Sequence, residues 1–196
     1  LRDIRSEHRP DTMTADEVSF AENIQNQLRD AMNFEGSSEE KKANSSLTNY
    51  IIDTSSILSQ KDAEPHRRTI NKTLWQYIDN LIEQQRIVTC SEIIEEVNDE
   101  VLKKWYTGLH GIILPIDDEV QENVKKVVTS NPQLIDFKQI KSSGDAFLIA
   151  TAMKYGLTII TEESKKGEKK IPYVCQKLNV PCVDILGLCE KEKWQF

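Results

Sequence analysis

The fold class follows most directly from Gly144-Asp145-Ala146-Phe147-Leu148-Ile149-Ala150-Thr151-Ala152 and from Gly156-Leu157-Thr158-Ile159-Ile160-Thr161, which comes shortly after it. The first stretch has apolar residues at helical spacing, which predicts a helix that begins near Ser142. The second contains the apolar run 157–160, which is typical of a buried strand. A helix that leads into a buried strand indicates an α/β protein.

The same alternation of helices and strands extends over the rest of the chain. Further strands are predicted over residues 50–52, 86–89, 112–114 and 181–185. Helical spacing predicts helices over 73–85 and 118–128. A third helix directly follows residue 89, where Thr89 and Glu92 are spaced as a capping box. The sequence from residue 48 onward therefore predicts a three-layer α/β/α fold with a central, mostly parallel sheet.

The first 47 residues differ in composition from the rest. They contain 6 Lys/Arg and 10 Asp/Glu, a net charge of −4, whereas residues 48–196 contain the other 19 and 22, a net charge of −3. Large apolar residues are few, and four of them have roughly helical spacing: Val18, Ile24, Leu28 and Met32. We expect an N-terminal helical and flexible extension over 1–47 and one domain over 48–196.

Composition excludes several classes of protein. The net charge of −7 argues against a nucleic-acid binder held by general positive charge. It does not exclude a nuclease, since metal ions invert the field of an acidic pocket. No apolar run approaches the roughly 20 residues that span a bilayer, and no signal peptide opens the chain, so no membrane partner and a cytoplasmic location are expected. The four cysteines form no CxxC pair, so structural zinc is not expected.

Four acidic residues stand at related positions of the predicted sheet. Asp53 ends the first strand, Glu163 follows the strand over 157–160, Glu96 lies in the helix after the second strand, and Asp145 lies in the first turn of its helix. In open parallel sheets, sites form at the carboxyl ends of strands. Each acid alone has an ordinary explanation as a helix cap or a solvated side chain, so their joint placement carries the prediction. Four carboxylates in one crevice repel each other, and a hard divalent cation such as Mg²⁺ or Mn²⁺ removes that cost.

Several motifs resemble those of the PIN domain family. The stretch Ile51-Ile52-Asp53-Thr54-Ser55 resembles the opening strand of PIN domains, and Ile94-Glu95-Glu96-Val97 is similar to the helix that carries their second acid. The segment 144–161 resembles their third-acid helix and the strand after it. The tail is similar to a little-characterised bacterial and archaeal PIN-like branch: Ile171–Cys175, Val180–Cys182 and Trp194–Phe196. The resemblance covers about residues 48–196.

This resemblance implies a VapC-like, Mg²⁺- or Mn²⁺-dependent endoribonuclease, often the toxin of a toxin–antitoxin pair. Asp53, Glu96, Asp145 and Glu163 would be its catalytic and metal-binding residues. The implied partners are an RNA substrate and an antitoxin protein. Separately, the amphipathic pattern over residues 17–32 predicts a surface that packs on a second copy of the chain or on an antitoxin. Two other hypotheses are a PIN-like binding module that is catalytically weak or inactive, and, ranked lower, a nuclease that acts on DNA flaps.

Two of the four acids have neighbours that compete for the same role. Glu162 is the alternative to Glu163, because the Thr-Glu-Glu sequence replaces the usual Thr-x-Asp of other PIN domains. Glu92 and Glu95 are the alternatives to Glu96. Glu96 is preferred because it directly precedes an apolar residue, while capping already explains Glu92.

Substrate-binding residues are expected on both sides of the acids. Thr54 and Ser55 are expected to orient a ligand or the attacking water. Four lysines follow the fourth acid closely and either flank the cleft, where they would bind RNA, or belong to a solvated loop: Lys165, Lys166, Lys169 and Lys170.

Overall fold

The computed structural model describes residues 49–134 and 144–196. The predicted extension over 1–47 and the predicted helix start at Ser142 lie outside these residues. The two-part organisation of the chain therefore stays a prediction.

Five strands form one parallel sheet in the order β3-β2-β1-β4-β5. Their bounds are Tyr50–Ile52 (β1), Ile87–Cys90 (β2), Ile113–Leu114 (β3), Thr158–Ile160 (β4) and Cys182–Val183 (β5). The three central strands β1, β2 and β4 are almost entirely buried, which explains why they appear in the sequence as continuous apolar runs. The predicted parallel α/β fold is confirmed.

Eight α-helices and one 3₁₀ helix are found among the described residues. Their bounds are Thr54–Leu58 (α1), Lys72–Glu83 (α2), Ser91–Glu96 (α3), Glu100–Gly108 (α4), Asp118–Ser130 (α5), Gly144–Tyr155 (α6), Ile171–Leu178 (α7), Ile185–Glu192 (α8) and, for the 3₁₀ helix, Pro132–Leu134. Within the described ranges, no helix is both long enough and apolar enough to cross a bilayer.

Two local predictions are wrong. The Thr89 hydroxyl does not cap a helix, because it donates to the Ile52 carbonyl on the neighbouring strand (3.0 Å), and α3 begins after Cys90 without a side-chain cap. The last strand ends earlier than predicted, because Asp184 caps α8 by accepting from the Gly187 amide (2.8 Å). The first error arises because a tertiary contact takes the Thr89 hydroxyl, and the second because a local helix cap competes with the strand pattern.

The helices cover the sheet in two groups. In one group, Trp75 of α2 meets Trp105 of α4 edge to face at 5.9 Å, and Tyr77 of α2 stacks on Trp194 just after α8 at 5.0 Å. In the other group, α6 packs against α5 and α7. Crossovers between parallel strands are right-handed. Helices in connections that run toward one edge of the sheet therefore lie on one face, and helices in connections that run toward the other edge lie on the opposite face. This arrangement gives the three predicted layers.

The order of the strands creates a crevice at the carboxyl edge of the sheet. The chain moves outward from β1 to β2 and β3, and then returns to the other side of β1 to form β4 and β5. The connection therefore reverses between β1 and β4, whose ends are joined by a hydrogen bond from the Asp53 amide to the Ile160 carbonyl (2.9 Å). Such a reversal point is where open α/β sheets bind ligands.

Candidate active site

Asp53 lies at this reversal point and is only 2% exposed. It follows β1 and caps α1, and one carboxylate oxygen accepts three hydrogen bonds, from the Ser55 amide (3.2 Å), the Ser55 hydroxyl (2.5 Å) and the Thr161 hydroxyl (2.8 Å). Burial raises the pKa of Asp53 above its usual range, against the lowering effect of these donors, and the nearby charge of Glu163 raises it further. The buried carboxylate is thus oriented by neutral donors, and its negative charge is costly.

Glu96 at the end of α3 is hydrogen-bonded to the residues next to Asp53 and Asp145. One of its oxygens accepts from the Thr54 hydroxyl (3.2 Å), next to Asp53, and the other accepts from the Gly144 amide (2.6 Å), next to Asp145. A Cβ atom at Gly144 would lie 2.6 Å from the Glu96 carboxylate. Gly144 is therefore the residue that allows this carboxylate to approach the first turn of α6.

Glu163 is bound at the start of α7 by both of its carboxylate oxygens. The Lys170 ammonium donates to one oxygen (2.7 Å), and the Ile171 amide donates to the other (2.8 Å). The Glu163 amide donates to the Thr161 hydroxyl (3.1 Å), which is the same hydroxyl that donates to Asp53. Thr161 thus connects the first and fourth acids.

Lys170 places a positive charge near the acidic residues of the candidate site. Its hydrogen bond to Glu163 and the charge of that carboxylate raise the pKa of Lys170, and the charges of Asp145 and Asp53 raise it further. Three of the four predicted acids therefore act on one ammonium group. Its side chain is 44% exposed, so water screens these attractions.

The alternative acidic residues Glu162, Glu95 and Glu92 differ from the preferred ones in their contacts or exposure. Glu162 accepts from the Ile185 amide (2.7 Å) with one oxygen, and its other oxygen lies 3.1 Å from Nε2 of His66. Glu95 is exposed, and Glu92 lies in the first turn of α3. These contacts give Glu162 a role in holding α8, and the assignment of Glu96 and Glu163 as ligands stays a prediction.

The residues predicted to bind substrate divide into two sets. Thr54 and Ser55 use their hydroxyls to hold the carboxylates of Glu96 and Asp53, and their role in orienting a ligand or the attacking water stays a prediction. The four lysines differ in their contacts, since Lys165 pairs with Asp184 (2.9 Å), Lys170 pairs with Glu163, and Lys166 and Lys169 are exposed. Their predicted role in binding RNA stays a prediction.

Thr161 and Gly144 are the site residues that sequence reasoning missed. Both had a usable signal. Thr161 directly follows β4, just as Asp53 directly follows β1 on the neighbouring strand. Gly144 directly precedes the predicted acid Asp145.

The donor chemistry of the site suits a hard divalent cation. The four predicted acids supply hard oxygen ligands, and, among the described residues, the groups that bond the buried Asp53 directly are uncharged donors. Over residues 49–134 and 144–196, however, no three His, Cys, Asp or Glu side chains are placed as a metal cage. The carboxylate oxygens of Asp53, Glu96 and Glu163 are instead held by hydroxyls, main-chain amides and Lys170. The residues fit the ion in type, and assembly of a cage requires side chains to turn toward it.

Residues 50–196, from the first strand to the last residue, match the family described as Domain of unknown function (DUF4411). The chain belongs to this family. No curated protein matches the chain.

Three solved structures are similar to the chain at low sequence identity. FitAB bound to an IR36 DNA fragment is 18% identical, with a TM-score of 0.47 over 69% of this chain and 94% of that one. PAE2754 from Pyrobaculum aerophilum is 13% identical, with a TM-score of 0.46 over 76% and 92%. FitAcB from Neisseria gonorrhoeae is 17% identical, with a TM-score of 0.43 over 70% and 98%.

Proposed function

We propose that this chain is a metal-dependent endoribonuclease of the PIN type, which hydrolyses RNA phosphodiester bonds with Mg²⁺ or Mn²⁺. The observation that carries the proposal is the environment of Asp53. Its carboxylate is buried at the reversal point of the sheet, and Thr161 bonds both this carboxylate and the Glu163 amide. Glu96 accepts from the neighbours of Asp53 and Asp145, the Thr54 hydroxyl and the Gly144 amide. Burial of that charge is favourable once a cation shares the site.

Asp53, Glu96, Asp145 and Glu163 would hold the ion. A bound divalent cation lowers the pKa of a water molecule and offsets charge on the phosphate. The chain's own residues supply orientation: Ser55 and Thr161 hold Asp53, Thr54 and the Gly144 amide hold Glu96, and the Ile171 amide holds Glu163. In-line attack by water would leave a 5′-phosphate and a 3′-hydroxyl.

The exposed lysines of the loop after β4 supply positive charge beside these acids. Lys166 and Lys169 are exposed, and they follow Glu163 within six residues. In a chain of net charge −7, such local positive charge would attract the RNA backbone. We also propose, from the sequence resemblance, a toxin role with an antitoxin protein as partner. The amphipathic sequence pattern over residues 17–32 supports a homodimer as the proposed assembly.

Cleavage assays on the full chain test the proposal. The purified protein is incubated with varied single-stranded RNAs, and with DNA of the same sequences, in Mg²⁺, Mn²⁺ or EDTA. We expect metal-dependent cleavage of RNA, which Asp53→Asn and Asp145→Asn reduce by about 100-fold or more, since each removes charge from the ion. Cleavage of DNA alone would favour the lower-ranked DNA nuclease.

Adjacent glutamates offer matched controls for the two predicted glutamate ligands, Glu96 and Glu163. Glu96→Gln should abolish most cleavage, whereas Glu95→Gln changes an exposed residue on the same helix and should leave it intact. Glu163→Gln and Glu162→Gln form the second pair. Equal loss within both pairs would refute this choice of ligands.

A binding module without catalysis is the second candidate, and the Lys170–Glu163 ion pair favours it, because the chain supplies part of the required positive charge itself. Thermal unfolding with Mn²⁺ separates the two. A ligand at 100 times its Kd stabilises a protein by about 2.7 kcal/mol. If the parent protein neither gains stability from Mn²⁺ nor cleaves any RNA, the ribonuclease proposal is wrong.

A further inference from the structure

We propose that Lys170 is an internal competitor of the divalent cation, which neutralises Glu163 in the metal-free protein and is displaced from it when the ion binds. This inference rests on the proposed function and goes beyond it, because it assigns a basic residue a role in setting the metal affinity.

The two donors to Glu163 differ in how easily they can leave. The Ile171 amide belongs to the backbone at the start of α7 and cannot move without the helix. The Lys170 ammonium sits on a flexible four-carbon side chain and is 44% exposed, so it can return to water at little cost. Loss of the lysine would free one oxygen of Glu163 for an ion, while the amide keeps the carboxylate in place.

The charges around Lys170 also favour competition between this lysine and a divalent cation. Glu163, Asp145 and Asp53 all act on the Lys170 ammonium, so one positive charge faces three carboxylates. A divalent cation compensates more of that negative charge than a lysine does, and both cannot occupy the same carboxylate oxygen. Metal binding and the Lys170–Glu163 bond should therefore exclude each other.

The loop after β4 is folded so that Lys170 returns to Glu163. Gly167 adopts a φ of 122°, which favours glycine, and the Lys170 amide donates to the Gly167 carbonyl (3.1 Å). Lys165, on the same loop, is held elsewhere by Asp184. Lys166 is exposed, and it offers a matched control with the same charge on the same loop.

Mn²⁺ titration of the full-length parent, Lys170→Met and Lys166→Met by isothermal calorimetry tests the competition. We expect Lys170→Met to bind Mn²⁺ about 3- to 5-fold more tightly, as the loss of a half-exposed ion pair implies, and Lys166→Met to change the affinity less than about 2-fold. In a Glu163→Gln background, Lys170→Met should lose most of its effect, because the contested oxygen is gone.

Chemical labelling of the parent protein provides a readout independent of variants. The reactivity of lysines toward an amine-acetylating reagent is measured by mass spectrometry with and without Mn²⁺, with Lys166 as the internal reference. Displacement predicts that Mn²⁺ increases labelling of Lys170 relative to Lys166. Should Lys170→Met fail to fold, this experiment decides the inference alone.

The possible failures are distinguishable. If the parent and Lys170→Met both fail to bind Mn²⁺, the proposed function is wrong and the inference falls with it. If Mn²⁺ binds but Lys170→Met binds it equally or more weakly, or if labelling of Lys170 does not increase, the inference is wrong and the metal-dependent ribonuclease stands.

Discussion

The two ends of strand β1 each hold a carboxylate, half-buried at the amino end and buried at the carboxyl end, and they bond it in different ways. At the amino end, Glu192 accepts two hydrogen bonds from the Arg86 guanidinium (2.7 Å each) and one from the Tyr50 hydroxyl (2.6 Å). At the carboxyl end, Asp53 accepts its hydrogen bonds from hydroxyls and an amide. Within the described part of the chain, the first carboxylate is paired with a fixed cation, and the second is bonded directly by uncharged donors.

The acid–base properties of the two ends differ accordingly. Burial alone would raise the pKa of Glu192, but the bonds from Arg86 and Tyr50 hold it below its usual value. Burial and the same bond to Glu192 raise the pKa of Tyr50 to about 12. Burial raises the pKa of Asp53, and its neutral donors do not reverse the shift. A carboxylate that is fully compensated within the chain serves stability, whereas one left without a fixed cation is suited to bind one.

The largest effect on stability is expected at the amino end. Glu192→Gln leaves the Arg86 guanidinium, which is 29% exposed, without its anion, and should lower the free energy of unfolding by about 1–3 kcal/mol in urea denaturation at neutral pH. Mn²⁺ binding by the folded protein should not change. The matched control is Glu190→Gln, which changes an exposed residue of the same helix. Equal losses in the free energy of unfolding would show that pairing with Arg86 gives Glu192 no larger contribution to stability than an exposed glutamate.

A second prediction concerns the carboxyl end and separates metal affinity from stability. Gly144→Ala would place a methyl group against the Glu96 carboxylate and push it away from the first turn of α6. We expect Mn²⁺ affinity to fall about 10-fold, as for a lost supporting contact of a ligand. The free energy of unfolding should change little, because the displaced group ends a flexible side chain.

Gly108 supplies the control for this variant. It lies at the end of α4, and a Cβ atom there would have no neighbour within 4 Å. Gly108→Ala should therefore leave Mn²⁺ affinity unchanged. A Gly144→Ala protein with the parent's affinity would mean that Glu96 is not a ligand.

The smallest effect is a difference in pH dependence between the two ends. Because the pKa of Asp53 is higher in the folded state than its usual 3.8, the folded state binds the extra proton more tightly. The contribution of Asp53 to the free energy of unfolding should therefore decrease as pH rises above about 4 and level off beyond the folded pKa. Glu192 has a lowered pKa, so its stabilising contribution is lost as pH falls below its usual 4.5.

Urea denaturation in EDTA over a series of pH values measures both contributions. Asp53→Asn keeps an oxygen that can cap α1, and it should remove the decrease above pH 4. Glu192→Gln should reduce the loss at lower pH. A parent-like pH profile for Asp53→Asn would contradict the idea that this carboxylate is uncompensated.

The parts of the fold that could be predicted are those with a local signal. The strands Tyr50–Ile52 and Thr158–Ile160 are largely apolar in sequence because they are mostly buried in the centre of the sheet. Helices α4, α7 and α8 were not predicted. For α8, the residue that caps it, Asp184, stands in a segment that also fits a strand, and its choice of the Gly187 amide is visible only in the structure.

In the candidate site too, some features have a local sequence signal and others depend on the tertiary structure. Asp53 and Asp145 could be placed because their positions follow from a strand end and a helix start, which are local features of the chain. The bond between Thr54 and Glu96 joins residues 42 positions apart, and the bond between Thr161 and Asp53 joins residues 108 positions apart. Local periodicity specifies which face of an element is buried, but it carries no information about which distant donor meets a given oxygen. That pairing, and with it the contrast between Asp53 and Glu192, depends on the order of the strands and on the packing that brings their ends together.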